Sequence, residues 1–95
     1  MFTQRQFLSF EWDDAKRAAN LQKHGIDFED AVFALHQFHF EIPVNRHGEA
    51  RTLAICSDID RIITVVYTMR GEVCRIISAR RAHRHEQRIY HQNHP

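Results

Sequence analysis

The residues whose types and spacing point most directly to chemistry lie in the run Arg75-Ile76-Ile77-Ser78-Ala79-Arg80-Arg81-Ala82-His83-Arg84-His85-Glu86-Gln87-Arg88-Ile89-Tyr90. Ile76 and Ile77 are apolar and β-branched, as a buried strand requires. The second half is dense in Arg and His and free of Pro and Gly, which predicts a helix over about 81–91. Ser78 stands at the junction, where its hydroxyl can cap that helix. Arg80 and Arg81 then fall at the helix mouth, where free N–H groups and the dipole favour an anion. Arg presents a bidentate fork to phosphate oxygens, so phosphate is the ligand this junction calls for. A solvated basic helix accounts for the same residues, and for any single Arg it is the simpler account.

If that phosphate belongs to RNA, metal-free cleavage needs a base for the 2′-hydroxyl, cations for the phosphorane charge and an acid for the leaving 5′-oxygen. His24, at a predicted helix end, is a candidate for proton transfer, and Lys23 is a point charge beside it. Arg51, Arg70, Arg80 and Arg81 can clamp phosphate. Tyr67, near the end of a predicted strand, can exchange a proton or stack on a base. Each has a structural alternative: Tyr67 as a sheet-face aromatic, His24 as a helix-end cap, Arg51 as a cross-strand ion-pair partner. Phosphate-binding Gly loops, dinucleotide fingerprints and Gly-x-Ser-x-Gly elbows are absent. The His pairs 36/39, 83/85 and 91/94 lack the spacing of helical zinc sites, so no metal is expected. No cofactor is expected either.

The elements that must position these groups follow in order. Phe7 to Trp12 reads as a short strand. Asp13 is an N-cap for a helix over 15–24 that Gly25 stops. Asp13, Lys16, Asn20 and Lys23 share one helical face, which reads as the wet side. Asp27 caps a second helix, with Phe28, Ala31, Val32 and Leu35 as its apolar stripe. Phe38, Phe40, Ile42 and Val44 alternate as a strand that Pro43 assigns to an edge, and Asn45-Arg46-His47-Gly48-Glu49 reads as the turn after it. Arg51–Cys56, Ile62–Thr68 and Val73–Ser78 complete a meander, with Ile62–Thr68 central because it is the most apolar. Only Ala82, Ile89 and Tyr90 can anchor the last helix, and His91–Pro95 reads as a frayed tail. The expectation is one α+β domain over 1–95, with two N-terminal helices, an antiparallel sheet of about four strands and one C-terminal helix.

Ninety-five residues suffice for one modest core. The lack of a long apolar run or a signal-peptide h-region points to the cytoplasm and away from a membrane. Cys56 and Cys74 read as reduced, strand-borne thiols. The net charge of +1 hides an asymmetry, since residues 1–60 carry −4 and residues 61–95 carry +5. A basic half suits a polyanionic partner.

Several blocks resemble the BrnT-type toxins. They are Phe10-Glu11-Trp12-Asp13, then Lys16, Asn20, Lys23-His24-Gly25, Phe28 and Ala31. Gly48-Glu49-x-Arg51, Val66-Tyr67-Thr68-x-Arg70 and Arg75 to Ala82 follow, with Glu86 and Tyr90 after them. The resemblance covers about residues 10 to 90. It implies a RelE-like α+β fold and a ribosome-independent or broadly acting endoribonuclease; with the residues above, the expectation is a metal-independent enzyme that arrests translation and growth. It also implies a BrnA-like ribbon-helix-helix antitoxin, with operator DNA bound only through the complex. Lys23, His24, Tyr67, Arg80 and Arg81 fall on motif positions and are the expected catalytic residues. Lys16, Arg51, Arg70, Arg84 and Tyr90 are the expected RNA contacts. The segment Pro43–His47 departs from the pattern in lacking acidic residues, as does 57–60 in lacking a Gly turn. A non-catalytic nucleic-acid- or antitoxin-binding module is the alternative, and a His-based metal sensor is a weaker third.

Overall fold

The computed structural model describes residues 1–95. The helices are α1 (Asp14–His24), α2 (Phe28–Leu35) and α3 (Arg84–Asn93). The strands are β1 (Phe2–Thr3), β2 (Ser9–Glu11), β3 (His39–Arg46), β4 (Glu49–Asp58), β5 (Arg61–Arg70) and β6 (Val73–Arg81). They form one six-stranded sheet in the order β1-β3-β4-β5-β6-β2. This corrects the expected antiparallel sheet of about four strands. The meander β3 to β6 is antiparallel, but β1 adds to one edge and β2 adds parallel to the other. Strand β2 falls within the short strand expected over 7–12, whereas β1, two residues long, carries no periodic signal, and both pair because the edges offer free N–H and C=O groups. Arg75 on β6 grips Glu11 on β2 and secures the parallel edge.

Local chemistry sets the helix ends. The Asp13 carboxylate accepts from the Lys16 N–H at 3.0 Å, and Asp27 accepts from the Glu29 N–H at 3.3 Å. Gly25 ends α1 at φ 70°, a conformation that favours glycine. Arg17 joins the two helices through Asp27 at 2.7 Å and lies over the Trp12 ring.

One face of the sheet, with Ala54, Cys56, Ile63, Val65, Tyr67, Cys74, Ile76 and Ala79, packs on Ile26, Phe28, Ala31, Ala34 and Leu35. Each large apolar side chain fully buried here contributes roughly 1.5–3 kcal/mol. Cys56 and Cys74 are free and buried, and burial pushes both thiols up, Cys74 to about 12. On the other face Ala82 and Tyr90 pack on Ile55, with Phe2, Phe40, Ile42 and Ile62 around them. Helix α3 is only ten residues long, about 15 Å. It covers that part of the face and leaves the rest open. The C-terminal residues are not a frayed tail. Helix α3 continues to Asn93, and His94 packs edge-on against Phe2 at 5.1 Å.

Glu41 ties the segment after β1 to β3 and β5 beneath the first face. It takes Arg5 at 2.8 Å, His39 Nε2 at 2.9 Å and the Tyr67 hydroxyl at 2.6 Å. Burial alone would raise this carboxyl, but the His39, Arg5 and Tyr67 contacts outweigh it and hold it down to about 2. The folded value lies below the ordinary one of 4.5. Its contribution is therefore complete above the ordinary value and is lost as pH falls from there toward 2. Glu86, described below, behaves the same way. The expected result is a urea midpoint that is level from pH 7 to about 5 and then drops steeply, with each carboxylate contributing on the order of 3 kcal/mol. A midpoint that stays level down to pH 3 would contradict it.

Candidate functional site

The open part of the second sheet face is a concave groove of about 260 Å³. Val44, Leu53, Val66 and Ile77 are its apolar lining, with Ser78, Arg46, Arg51 and Arg80 as its polar members. A bulge builds part of the wall. Val66 pairs with Ser78 and Tyr67 with Ile76, so Ile77 is the extra residue of β6. The bulge turns the consecutive residues Ile77 and Ser78 into one concavity.

Arg80 pairs across the strands with Thr64, and Arg81 with Ile63. Neighbours on a strand point to opposite faces, so the two guanidinium groups diverge. This corrects the expected convergence at a helix mouth. Strand β6 runs on through Arg81, and the N-cap of α3 is His83, not Ser78. Arg81 is exposed and lines a separate concavity with Asp58, Ile59, Asp60 and Arg61, where two carboxylates offset the two guanidinium charges.

The anion at the mouth of α3 is the chain's own Glu86. It is 4% exposed and accepts from the His83 N–H at 2.7 Å and the Thr64 hydroxyl at 3.0 Å. Arg80 meets it bidentately, Nη1 at 2.8 Å and Nη2 at 3.0 Å. Burial pushes the Glu86 carboxyl up, but Arg80, the His83 amide and Thr64 outweigh it and hold it down to about 2. Glu86 takes the end edge of the guanidinium. The side edge, with Nε–H and one Nη2–H, stays free to donate into the groove. Arg51 is held the other way round, its Nε donating to Glu49 at 2.9 Å, which leaves its two terminal nitrogens free. Arg51, Arg70 and Lys16 all hold the Glu49 carboxyl below its usual range, Arg51 most strongly. Lys16 and Arg70 are thus within electrostatic reach of the groove's β4 rim.

Helix α1 lies along the part of the β6 edge that β2 leaves unpaired, beyond Arg75. Asn20 is buried and donates to the carbonyls of Ala79 at 2.8 Å and Ile26 at 2.9 Å, and it accepts from the Ala79 N–H at 3.1 Å. Its amide thus replaces a neighbouring strand at Ala79. Of the stripe Asp13, Lys16, Asn20 and Lys23, the first two and Lys23 are exposed as expected of a wet side, and Asn20 alone is buried, against the strand that carries Arg80. Lys23 is exposed and His24 half-buried at the end of that helix.

The two tyrosines are not available to a ligand. Tyr67 is 1% exposed, and burial, then Glu41, raises its hydroxyl well above the ordinary value. Tyr90 is 7% exposed and stacks edge-on with Phe2 at 5.1 Å. Arg84 and Arg88 are exposed along α3. No group of three or more His, Cys, Asp or Glu side chains is arranged to hold a metal ion. No helix is long and apolar enough to cross a membrane. Arg46 is the groove residue that sequence reasoning missed. Residues 45–49 read as a turn, but β3 extends to Arg46 and the turn is the tight pair His47–Gly48, both at positive φ. The Gly48 signal two residues on marked that possibility.

No curated relative matches the chain. A sequence model of the family described as a ribonuclease toxin, BrnT, of type II toxin–antitoxin systems matches residues 12–86, which include Asn20, Arg51, Arg80 and Glu86. The chain therefore belongs to the BrnT family of ribonuclease toxins, with RNA as its substrate class and an antitoxin as its partner.

Proposed function

We propose that the chain is an endoribonuclease that cleaves RNA by attack of the ribose 2′-hydroxyl, without a metal ion, and thereby arrests translation and growth. The observation that carries this reading is the meeting of the Arg46, Arg51 and Arg80 guanidinium groups over one open groove. Two of the three are anchored by carboxylates with an anion-binding edge left free. Such donors act on the charge that builds on the non-bridging oxygens in the transition state. In this reading Lys23 and His24, at the end of the helix that borders β6, supply the proton transfers. Tyr67 supports the sheet through Glu41 and takes no part in them. Lys16, Arg70 and Arg84 steer the polyanion.

A second reading, a binding module without catalysis, is favoured by one observation. None of the groove-lining residues is a His, Asp or Glu, so any base must come from outside it. Incubation of single-stranded RNA with the protein in excess EDTA separates the two. Cleavage supports the enzyme, binding without cleavage supports the module, and cleavage restored only by added metal overturns the metal-free mechanism.

The antitoxin in this reading is a BrnA-like ribbon-helix-helix protein that carries the complex to operator DNA. An acidic or amphipathic element of it covers the face around Arg70, Arg80 and Arg84. Electrostatic steering then predicts an association rate that falls by roughly an order of magnitude or more as ionic strength rises. A rate indifferent to salt would contradict direct occlusion of this face.

A further inference from the structure

The groove carries more than a count of charges. Its floor is aliphatic and holds no aromatic ring, and its three guanidinium groups differ in what already binds them. Arg51 is engaged by Glu49 and Arg80 by Glu86. Arg46 sits directly across the β3–β4 hairpin from Glu49, yet that carboxylate is taken by Arg51, and Arg46 forms no ion pair. It is exposed, so all five of its N–H donors remain available. The concavity is about 260 Å³, on the scale of a single nucleotide. An apolar floor favours the face of a base over bulk water, and that face is accessible only when the base is unstacked. Duplex RNA hides its base faces by stacking.

Resting on the ribonuclease reading, we propose that the groove seats one unstacked nucleotide of single-stranded RNA, with Arg46 taking a flanking phosphate on the β3 side. Arg80 holds the phosphate on the β6 side. Arg46 is thus a substrate-binding residue that sets affinity for single-stranded RNA. A rigid guanidinium held by a carboxylate suits rate, whereas an unpartnered one at the rim suits capture.

The test uses a 2′-O-methyl RNA oligonucleotide, which cannot be cleaved, single-stranded and annealed to its complement. Binding is measured across a salt series for the parent, Arg46→Ala, Arg46→Lys and Arg51→Ala. The parent is expected to prefer the single strand. Arg46→Ala is expected to weaken that binding roughly tenfold and to lower the salt slope by about one. Arg46→Lys, which keeps the charge and loses the fork, should fall between. Equal affinity for duplex and single strand overturns the one-nucleotide seat. Parent-like affinity and slope in Arg46→Ala, with Arg51→Ala impaired, overturns the role of Arg46 and leaves the ribonuclease reading standing. Parent-like binding in both variants removes the groove as the RNA site and overturns the one-nucleotide seat together with the role of Arg46.

Discussion

Arg80→Ala is expected to slow RNA cleavage about 10²–10³-fold, the loss typical of removing one oriented donor from a charge that develops in the transition state. Arg81→Ala is expected to stay within about threefold of the parent, a change attributable to lost long-range attraction alone. The contrast follows from strand geometry. Arg80 pairs with Thr64 and opens on the groove, and Arg81 pairs with Ile63 and joins Asp58 and Asp60 on a separate surface. Rates should be measured on folded protein at saturating RNA, so that binding and turnover are separated. Equal losses in the two variants would mean that the groove is not the reacting centre.

Asn20→Ala is expected to destabilise the protein by about 3 kcal/mol, because it strips partners from the Ala79 N–H and from the Ala79 and Ile26 carbonyls at once. For a domain of this size that corresponds to a melting temperature lower by roughly 12–24 °C. Asn20→Asp should be nearly as damaging, since a carboxylate cannot donate to the two carbonyls. A melting temperature within a few degrees of the parent in either variant would show that α1 is held to β6 by something else.

Much of the scaffold was legible because its signals are local. Asp13, Asp27 and Gly25 stand at helix ends that side-chain capping and a left-handed residue enforce. Residues 62–68 form an interior strand, flanked by β4 and β6, as their apolar run requires. What was not legible depended on long-range partners. Strand β1 exists only because a sheet edge recruits it, and β2, legible as a short strand within 7–12, owes its parallel pairing to the edge of β6. Asn20 looks like a surface amide until the edge of β6 comes to meet it. Ser78 resembles a helix cap, but the cross-strand register of Arg80 and Arg81 with β5 extends the strand past it. Glu86, three residues after His83, was the available sign of where α3 begins. The alternation Ile63, Val65, Tyr67 would have turned Tyr67 inward, had strand periodicity been set above its family motif position. For the candidate site, clustering of Arg singled out residues of which only some share one groove. Arg80 and Arg51 share the groove, Arg81 does not, and Arg46 was hidden in what read as a turn.

The most direct measurement is product analysis on an oligodeoxynucleotide that carries a single ribonucleotide, incubated with the intact protein in excess EDTA and resolved by mass spectrometry. Attack by the 2′-hydroxyl predicts cleavage only after the ribonucleotide, leaving a 2′,3′-cyclic phosphate on one fragment and a free 5′-hydroxyl on the other. Fragments with 5′-phosphate ends, or cleavage at the deoxynucleotides, would contradict the account.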